Sequence, residues 1–210
     1  MTTRTFEDAR RWMAEGTKLL LAGVAGLGEE GFSAPSLLPG WSRKHLVAHV
    51  AANADAIGNL VHWAKTGNET PMYASPEERA AGIDRGPTMS AAALDSWLST
   101  SAEALDEAMG RLTAEQWQTE VVTAQGRTVP ATETPWMRAR EVCVHAVDLG
   151  TGVSFADLPE GFLTALIEDI KGKRGLADTE IVDGPLPEVA AWLAGRPHRL
   201  TDAPELGPWL

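Results

Sequence analysis

The sequence predicts a mainly α protein: a four-helix bundle over residues 1–150, followed by a small C-terminal α/β appendage over residues 151–210. Three observations carry that expectation. Four long segments place apolar residues three, four and seven positions apart, as helices with one buried face do. Serine, proline and glycine sit where those helices must start and stop. After Gly150-Thr151-Gly152 the long periodic stretches end and shorter, proline-rich ones follow.

Taken in order, Phe6 to about Leu27 sets Phe6, Ala9, Met13, Leu20 and Val24 on one helical face. Residues Gly28 to Gly40 cluster glycine, proline and serine and read as a loop. Ser42 caps a long second helix with Leu46, Val50, Ile57, Leu60 and Ala64 on its apolar side, and Gly67 ends it. Ser75-Pro76-Glu77-Glu78 opens a short helix through a capping box. Ser90 to Leu112 is the third long helix. Val121-Val122 and Thr128-Val129 flank Gln125-Gly126 as a small hairpin. Thr134-Pro135 starts a fourth long helix that runs to Leu149 and stops at Gly150. The appendage should hold a helix from about Pro159 to Lys171, a strand at Glu180 to Val182 and a helix at Glu188 to Leu193. At about 60 residues it is close to the size at which independent folding becomes marginal, so it is expected to lean on the bundle.

Among the 210 residues, 29 Asp and Glu stand against 18 Lys and Arg, a formal charge of −11. A surface this acidic repels a phosphate backbone, and no basic stripe offsets it, so no nucleic-acid partner is expected. The best apolar stretch, Leu19 to Val24, is far too short to span a bilayer, and no membrane partner is expected. The polar N-terminus MTTRTFEDARRW is not a signal peptide, which points to a cytoplasmic protein. One cysteine makes neither an internal disulfide nor a cysteine-rich zinc cage, so a metal would have to be held by histidine and carboxylate.

Candidate chemistry lies in the long helices. Glu141 and His145 stand four apart on the fourth helix, on the same face one turn from each other, with Arg138 and Asp148 on that face too. His45, His49 and Asn53 form a second polar row on the second helix. A carboxylate and an imidazole a turn apart can grip one ion, and a facing helix can add another imidazole. His45 and His49 share that spacing and form a competing pair. Either row could also be a wet face carrying weak ion pairs. His62 and His198 read as surface residues. Cys143, two residues from both Glu141 and His145, points away from them and reads as a buried small hydrophobe. Phosphate-cradling loops, a Gly-x-Ser-x-Gly elbow and a His-Glu-x-x-His zinc motif are absent. In so acidic a chain Arg79 and Arg196 draw notice, because a guanidinium fork fits a carboxylate at two points.

Pro39-Gly40-Trp41-Ser42, Leu46-x-x-His49, Asn53-Ala54-Asp55-Ala56 and Pro71-Met72-Tyr73 together resemble the start of the mycothiol-dependent maleylpyruvate isomerase family. Gly126-Arg127 and the run Pro135-Trp136-Met137-Arg138-Ala139-Arg140-Glu141-Val142-x-Val144-His145-Ala146-Val147-Asp148-Leu149 resemble its second signature. Ala191-Trp192-Leu193-Ala194-Gly195-Arg196 and Pro208-Trp209-Leu210 are similar to its closing segment. The resemblance implies a DinB-like bundle with a divalent metal, zinc in most members, on His49, Glu141 and His145. It makes His45 a helix-start or supporting residue beside Asn53, Arg138 and Asp148. It also implies that Arg79 and Arg196 meet substrate carboxylates. The sequence departs from the family between Gly172 and Pro187, where the appendage is compressed.

The implied activity is a cis–trans isomerisation of a maleylpyruvate-like unsaturated keto acid, with mycothiol as a thiol cofactor or co-substrate, by a monomer. The thiolate adds to the double bond, the resulting single bond rotates, and elimination returns the thiol. Two alternatives stay open: an S-transferase joining mycothiol to an electrophile, and a non-enzymatic metal- or ligand-binding bundle.

Overall fold

The structure, a computed structural model, describes residues 4–207 and residue 209; the side chains of Pro76 and Arg79 lie outside the described set. Thr5 starts helix α1 (Phe6–Val24): its hydroxyl accepts the Asp8 N–H, and the Asp8 carboxylate accepts the Thr5 N–H, both at 3.1 Å. A second capped start opens α3 (Arg43–Thr66), where His45 at the third helical position accepts the Ser42 backbone N–H on Nδ1 at 3.1 Å. That helix ends at Gly67, whose φ of 74° suits a residue without a Cβ. α5 (Ala91–Gly110) is capped by the Ser90 hydroxyl, and α6 (Thr134–Asp148) carries proline in its first turn.

These four helices close a ring: α6 packs on α1 and α3, and α5 completes the circle against the same two. The buried faces match the predicted stripes, with Leu46, Val50, Ile57 and Leu60 of α3 wholly enclosed. α1 and α6 pack tightly around Gly16. A Cβ added at Gly16 would lie 2.5 Å from Cys143 Sγ and 2.7 Å from Val142 Cγ2. Gly16→Ala is therefore expected to lower stability by about 1–3 kcal/mol, as overpacking a close-packed core does. Thermal melting checks it, and an unchanged midpoint would mean that α1 is free to slide away.

One arginine brings the ends of α3 and α6 together. Arg43 donates from Nε to Leu149 O at 2.7 Å, from Nη2 to Gly150 O at 3.0 Å and from Nη1 to Gly31 O at 3.0 Å. The Leu37 N–H adds a bond to Asp148 O at 2.7 Å. The carbonyls at a helix C-terminus have no partners of their own; Arg43 takes that of Leu149 and the Leu37 N–H that of Asp148.

The hairpin forms as expected, β1 (Glu120–Val122) against β2 (Thr128–Pro130) with Val121 opposite Val129. The short α4 (Pro76–Arg85) is capped by Ser75, while the Glu78 carboxylate takes the N–H of Ala74 instead of that of Ser75. Two expectations need correction. Inside the stretch read as a loop, Glu29–Ser33 forms a single helical turn, α2, that buries Phe32. Five residues are too few for a helical period to show in sequence. The strand expected at Glu180 to Val182 does not form: Asp178–Glu180 is a tight 3-10 turn, and Ile181 and Val182 follow without a pairing partner. Asp183-Gly184-Pro185 ends the stretch, and no second strand lies within it to supply a ladder. Among the described residues the appendage is thus helical, α7 (Glu160–Arg174) and α8 (Leu186–Leu193), not α/β.

The appendage does lean on the bundle. Phe162 of α7 sits against Trp12 of α1 and Trp136 of α6, with ring centroids 6.0 and 5.7 Å apart. Edge and tilted contacts of this kind add to the area that the rings bury. None of the described helices is long and apolar enough to cross a membrane.

Candidate metal centre and its cavity

The helical period puts Glu141 and His145 on one face of α6, and the packing of α3 on α6 brings His49 opposite them. His49 Nε2 lies 3.1 Å and His145 Nε2 3.4 Å from Glu141 Oε2. The two imidazole rings meet nearly at right angles, 86°, with centroids 5.0 Å apart. One potential ligand atom from each of the three residues falls within 4.8 Å of the others. The competing pair does not assemble. His45 spends Nδ1 on the start of α3, where it accepts the Ser42 N–H and lies 2.8 Å from the Ser42 hydroxyl.

His145 Nδ1 lies 2.9 Å from Asp148 Oδ2, so Nδ1 carries a proton toward that carboxylate. Nε2 is then left facing the Glu141 carboxylate, buried and without a hydrogen-bond partner among the described residues. A neutral His145 would aim a lone pair at carboxylate oxygens, an arrangement that asks for positive charge between them. A proton or a metal ion supplies it. Burial pulls the His145 pKa down, yet the hydrogen bond to Asp148 and the negative charge of Glu141 outweigh burial and raise it above its ordinary value. Burial likewise favours a neutral Glu141, and the two imidazoles overcome it, holding that carboxyl well below its usual range. Glu141 is thus anionic at neutral pH. Two imidazoles and one carboxylate, with one imidazole oriented by a further carboxylate, fit a divalent ion with coordination positions to spare.

The supporting residues take definite places. Asp148 holds His145 on one side and Arg196 on the other. The Arg196 guanidinium donates from Nε to Oδ1 at 3.0 Å and from Nη2 to Oδ2 at 2.7 Å, a two-point grip. Its Nη1 donates to Ala194 O and to Trp209 O, and the residue is 6% exposed. Arg196 was expected to grip a substrate carboxylate; in the fold its fork is already filled by Asp148. Spacing along one chain could not reveal this, because the partners are 48 residues apart. Arg79 lies on α4, and its side chain falls outside the described residues. Arg138 is buried between α6 and α3, where Nη1 donates to Val50 O at 2.7 Å and Asn53 Oδ1 at 2.9 Å. Trp41, named in sequence only as part of a motif, stacks on His45 and sets its ring edgewise to His49, 5.5 Å away. Cys143 is buried and donates to Trp12 O, and burial pushes its thiol far up.

Glu141 opens onto a cavity of about 410 Å³ that is also lined by Asn53, Tyr73, Arg127, Trp136, Arg140 and Trp209. Its size suits a small ligand, and aromatic walls with a few polar groups are usual for such sites. Arg140 is held by Asp169 at 2.9 Å and lies over the ring of Trp209, so the C-terminal tail forms part of the cavity wall.

Residues 13–150 match the model of the mycothiol maleylpyruvate isomerase N-terminal domain. The chain belongs to this family. Members of the mycothiol maleylpyruvate isomerase family have been solved. The chain is similar to the crystal structure of the mycothiol-dependent maleylpyruvate isomerase at 37% identity and a TM-score of 0.91, covering 100% of both chains. It is equally similar to that of a histidine-to-alanine mutant of the enzyme, at 37% identity and a TM-score of 0.92, again over 100% of both chains. No curated protein matches the chain. The likeness covers both chains in full and runs through the helical appendage, including Gly172 to Pro187, where a departure from the family was expected.

Proposed function

We propose that the protein is a mycothiol-dependent cis–trans isomerase of a maleylpyruvate-like unsaturated keto acid, with His49, Glu141 and His145 holding a divalent ion. Zinc suits two imidazoles and one carboxylate with open positions. One observation supports the reading above others: a full-length likeness to an isomerase coincides with a three-donor group that opens, through Glu141, on a cavity of substrate size.

A divalent ion held by His49, Glu141 and His145 would supply the positive charge that favours thiolate over thiol at neutral pH. The protein's own groups set up that chemistry. Asp148 fixes the His145 ring and its tautomer, and Arg196 fixes Asp148. Glu141 keeps its negative charge against burial. The walls formed by Trp136 and Trp209 narrow the cavity and limit the water around the reacting carbons. Addition, rotation and elimination then need only an external thiolate and a place for the charge that develops on the ketone.

The chain's own thiol is no substitute, since Cys143 is buried with its thiolate disfavoured. Cys143→Ser is therefore expected to keep kcat within about threefold of the unmodified protein. Full loss of turnover with metal still bound would overturn the external-thiol scheme. The reading itself is tested by supplying metal-loaded protein with mycothiol and maleylpyruvate and following both reactants. A trans product with the thiol conserved over many turnovers supports an isomerase. Thiol consumed one for one with the acid identifies an S-transferase instead.

A further inference from the structure

Asn53 sits one helical turn beyond His49 on the same face of α3 and lines the cavity onto which Glu141 opens. Its side-chain orientation is decided by chemistry. The atom facing Arg138 Nη1 at 2.9 Å must be an acceptor, because a guanidinium only donates. That atom is Oδ1. The amide N–H pair is then turned away from Arg138, and Nδ2 has no acceptor among the described residues. It is not one of the fully enclosed orphan atoms either, so it reaches the open space that Asn53 lines, which is the cavity. Behind it, burial brings the Arg138 pKa down only to about 10, with Glu141 foremost among the groups holding it up, so Arg138 is a cation at neutral pH. A positive charge on Oδ1 polarises the amide and makes its N–H a stronger donor. An arginine that lines the cavity is committed elsewhere: Arg140 pairs with Asp169.

We propose that Asn53 is a catalytic residue that donates an N–H to the substrate's ketone oxygen as charge develops on it. This rests on the isomerase reading. When thiolate adds, a C–S bond forms at the β-carbon of the conjugated double bond. The π pair moves toward the carbonyl and leaves an enolate oxygen, with no proton lost. After rotation about the former double bond the pair returns, the C–S bond breaks and thiolate departs. The oxygen is far more basic midway than at either end. A donor held in place there stabilises the transition state more than the bound substrate.

The test uses metal-loaded full-length protein and two variants. Asn53→Asp keeps an acceptor for Arg138 and removes the N–H; Asn53→Ala removes both. Both are expected to lose about 100- to 1000-fold in kcat, the usual cost of one oxyanion donor. Metal content, mycothiol affinity by calorimetry, KM and the melting point of the metal-stripped Asn53→Asp protein should change little, KM and affinity by less than about threefold. Turnover retained by both variants overturns the inference. Turnover lost in step with metal or thiol affinity also overturns it, by making Asn53 a structural support. An unmodified protein with no thiol-dependent turnover overturns the isomerase reading as well, a result distinct from unaltered variants of an active enzyme.

Discussion

Glu141→Gln is expected to strip the protein of its metal and its turnover together while leaving the chain folded. The substitution keeps shape and removes charge. Among the three proposed ligands, Glu141 is the only anion, and it lies within 3.4 Å of both imidazoles. A divalent ion between two neutral imidazoles and a neutral amide loses its main electrostatic attraction. Loss of a direct ligand should exceed the ~10–100-fold in metal affinity that follows from losing a group that only supports a ligand. Metal analysis of the purified variant, alongside turnover with mycothiol, reads both effects. A full complement of metal in Glu141→Gln would remove this triad as the metal site. The fold should survive, because Glu141 stands at the edge of the cavity, while the core of α3 and α6 is built by apolar residues such as Leu46, Val50, Val142 and Val144.

The second large effect is expected at the Asp148–Arg196 pair. Arg196→Met removes the two-point grip and leaves a carboxylate enclosed with His145 as its remaining side-chain partner. Breaking one side of a buried ion pair costs about 3–5 kcal/mol, while replacing both partners costs far less. Melting should therefore fall sharply in Arg196→Met and recover in good part in the double variant Asp148→Asn, Arg196→Met. Metal affinity should fall by about 10–100-fold in the single variant, since His145, a proposed ligand, loses a properly held orienting group. A raised KM with melting and metal content unchanged would return Arg196 to the role its motif suggested, a direct grip on the substrate. The structure favours the indirect role because each nitrogen of the fork is already bonded within the protein.

The two variants divide the candidate site according to what each residue touches. Glu141 faces the cavity, and its removal acts on the ion. Arg196 is two steps behind it, through Asp148 and His145, and its removal acts on stability and on ligand geometry. Asn53 faces the cavity too, yet its removal should spare the metal and act on the rate alone. Three patterns in metal content, melting and kcat thus separate three roles.

Much of this arrangement was legible in the residues. The long helices, their caps and the Glu141–His145 pair are local properties, written in neighbours three or four positions apart along one chain. His45 illustrates the limit. It shares with His49 the spacing that marks a ligand pair, and only the Ser42 cap, three residues back, draws it away. The strand expected at Glu180 to Val182 failed for a related reason. Its composition suits an extended segment, but a strand exists only where another strand meets it, and none does.

By itself the sequence determined which side chains share a helical face: Arg138, Glu141, His145 and Asp148 on α6, and His49 with Asn53 on α3. Side-chain direction there follows from 3.6 residues per turn, whatever the rest of the chain does. The tertiary structure alone decided what stands across from each of them. It set His49 against Glu141, Arg196 on Asp148 and Arg138 on Asn53, pairs separated by 92, 48 and 85 residues. Those meetings depend on how α3 packs on α6 and on how the appendage folds back, with Arg43 fastening the helix ends. Packing of that kind is chosen by the whole core at once, and no stretch of neighbouring residues encodes it.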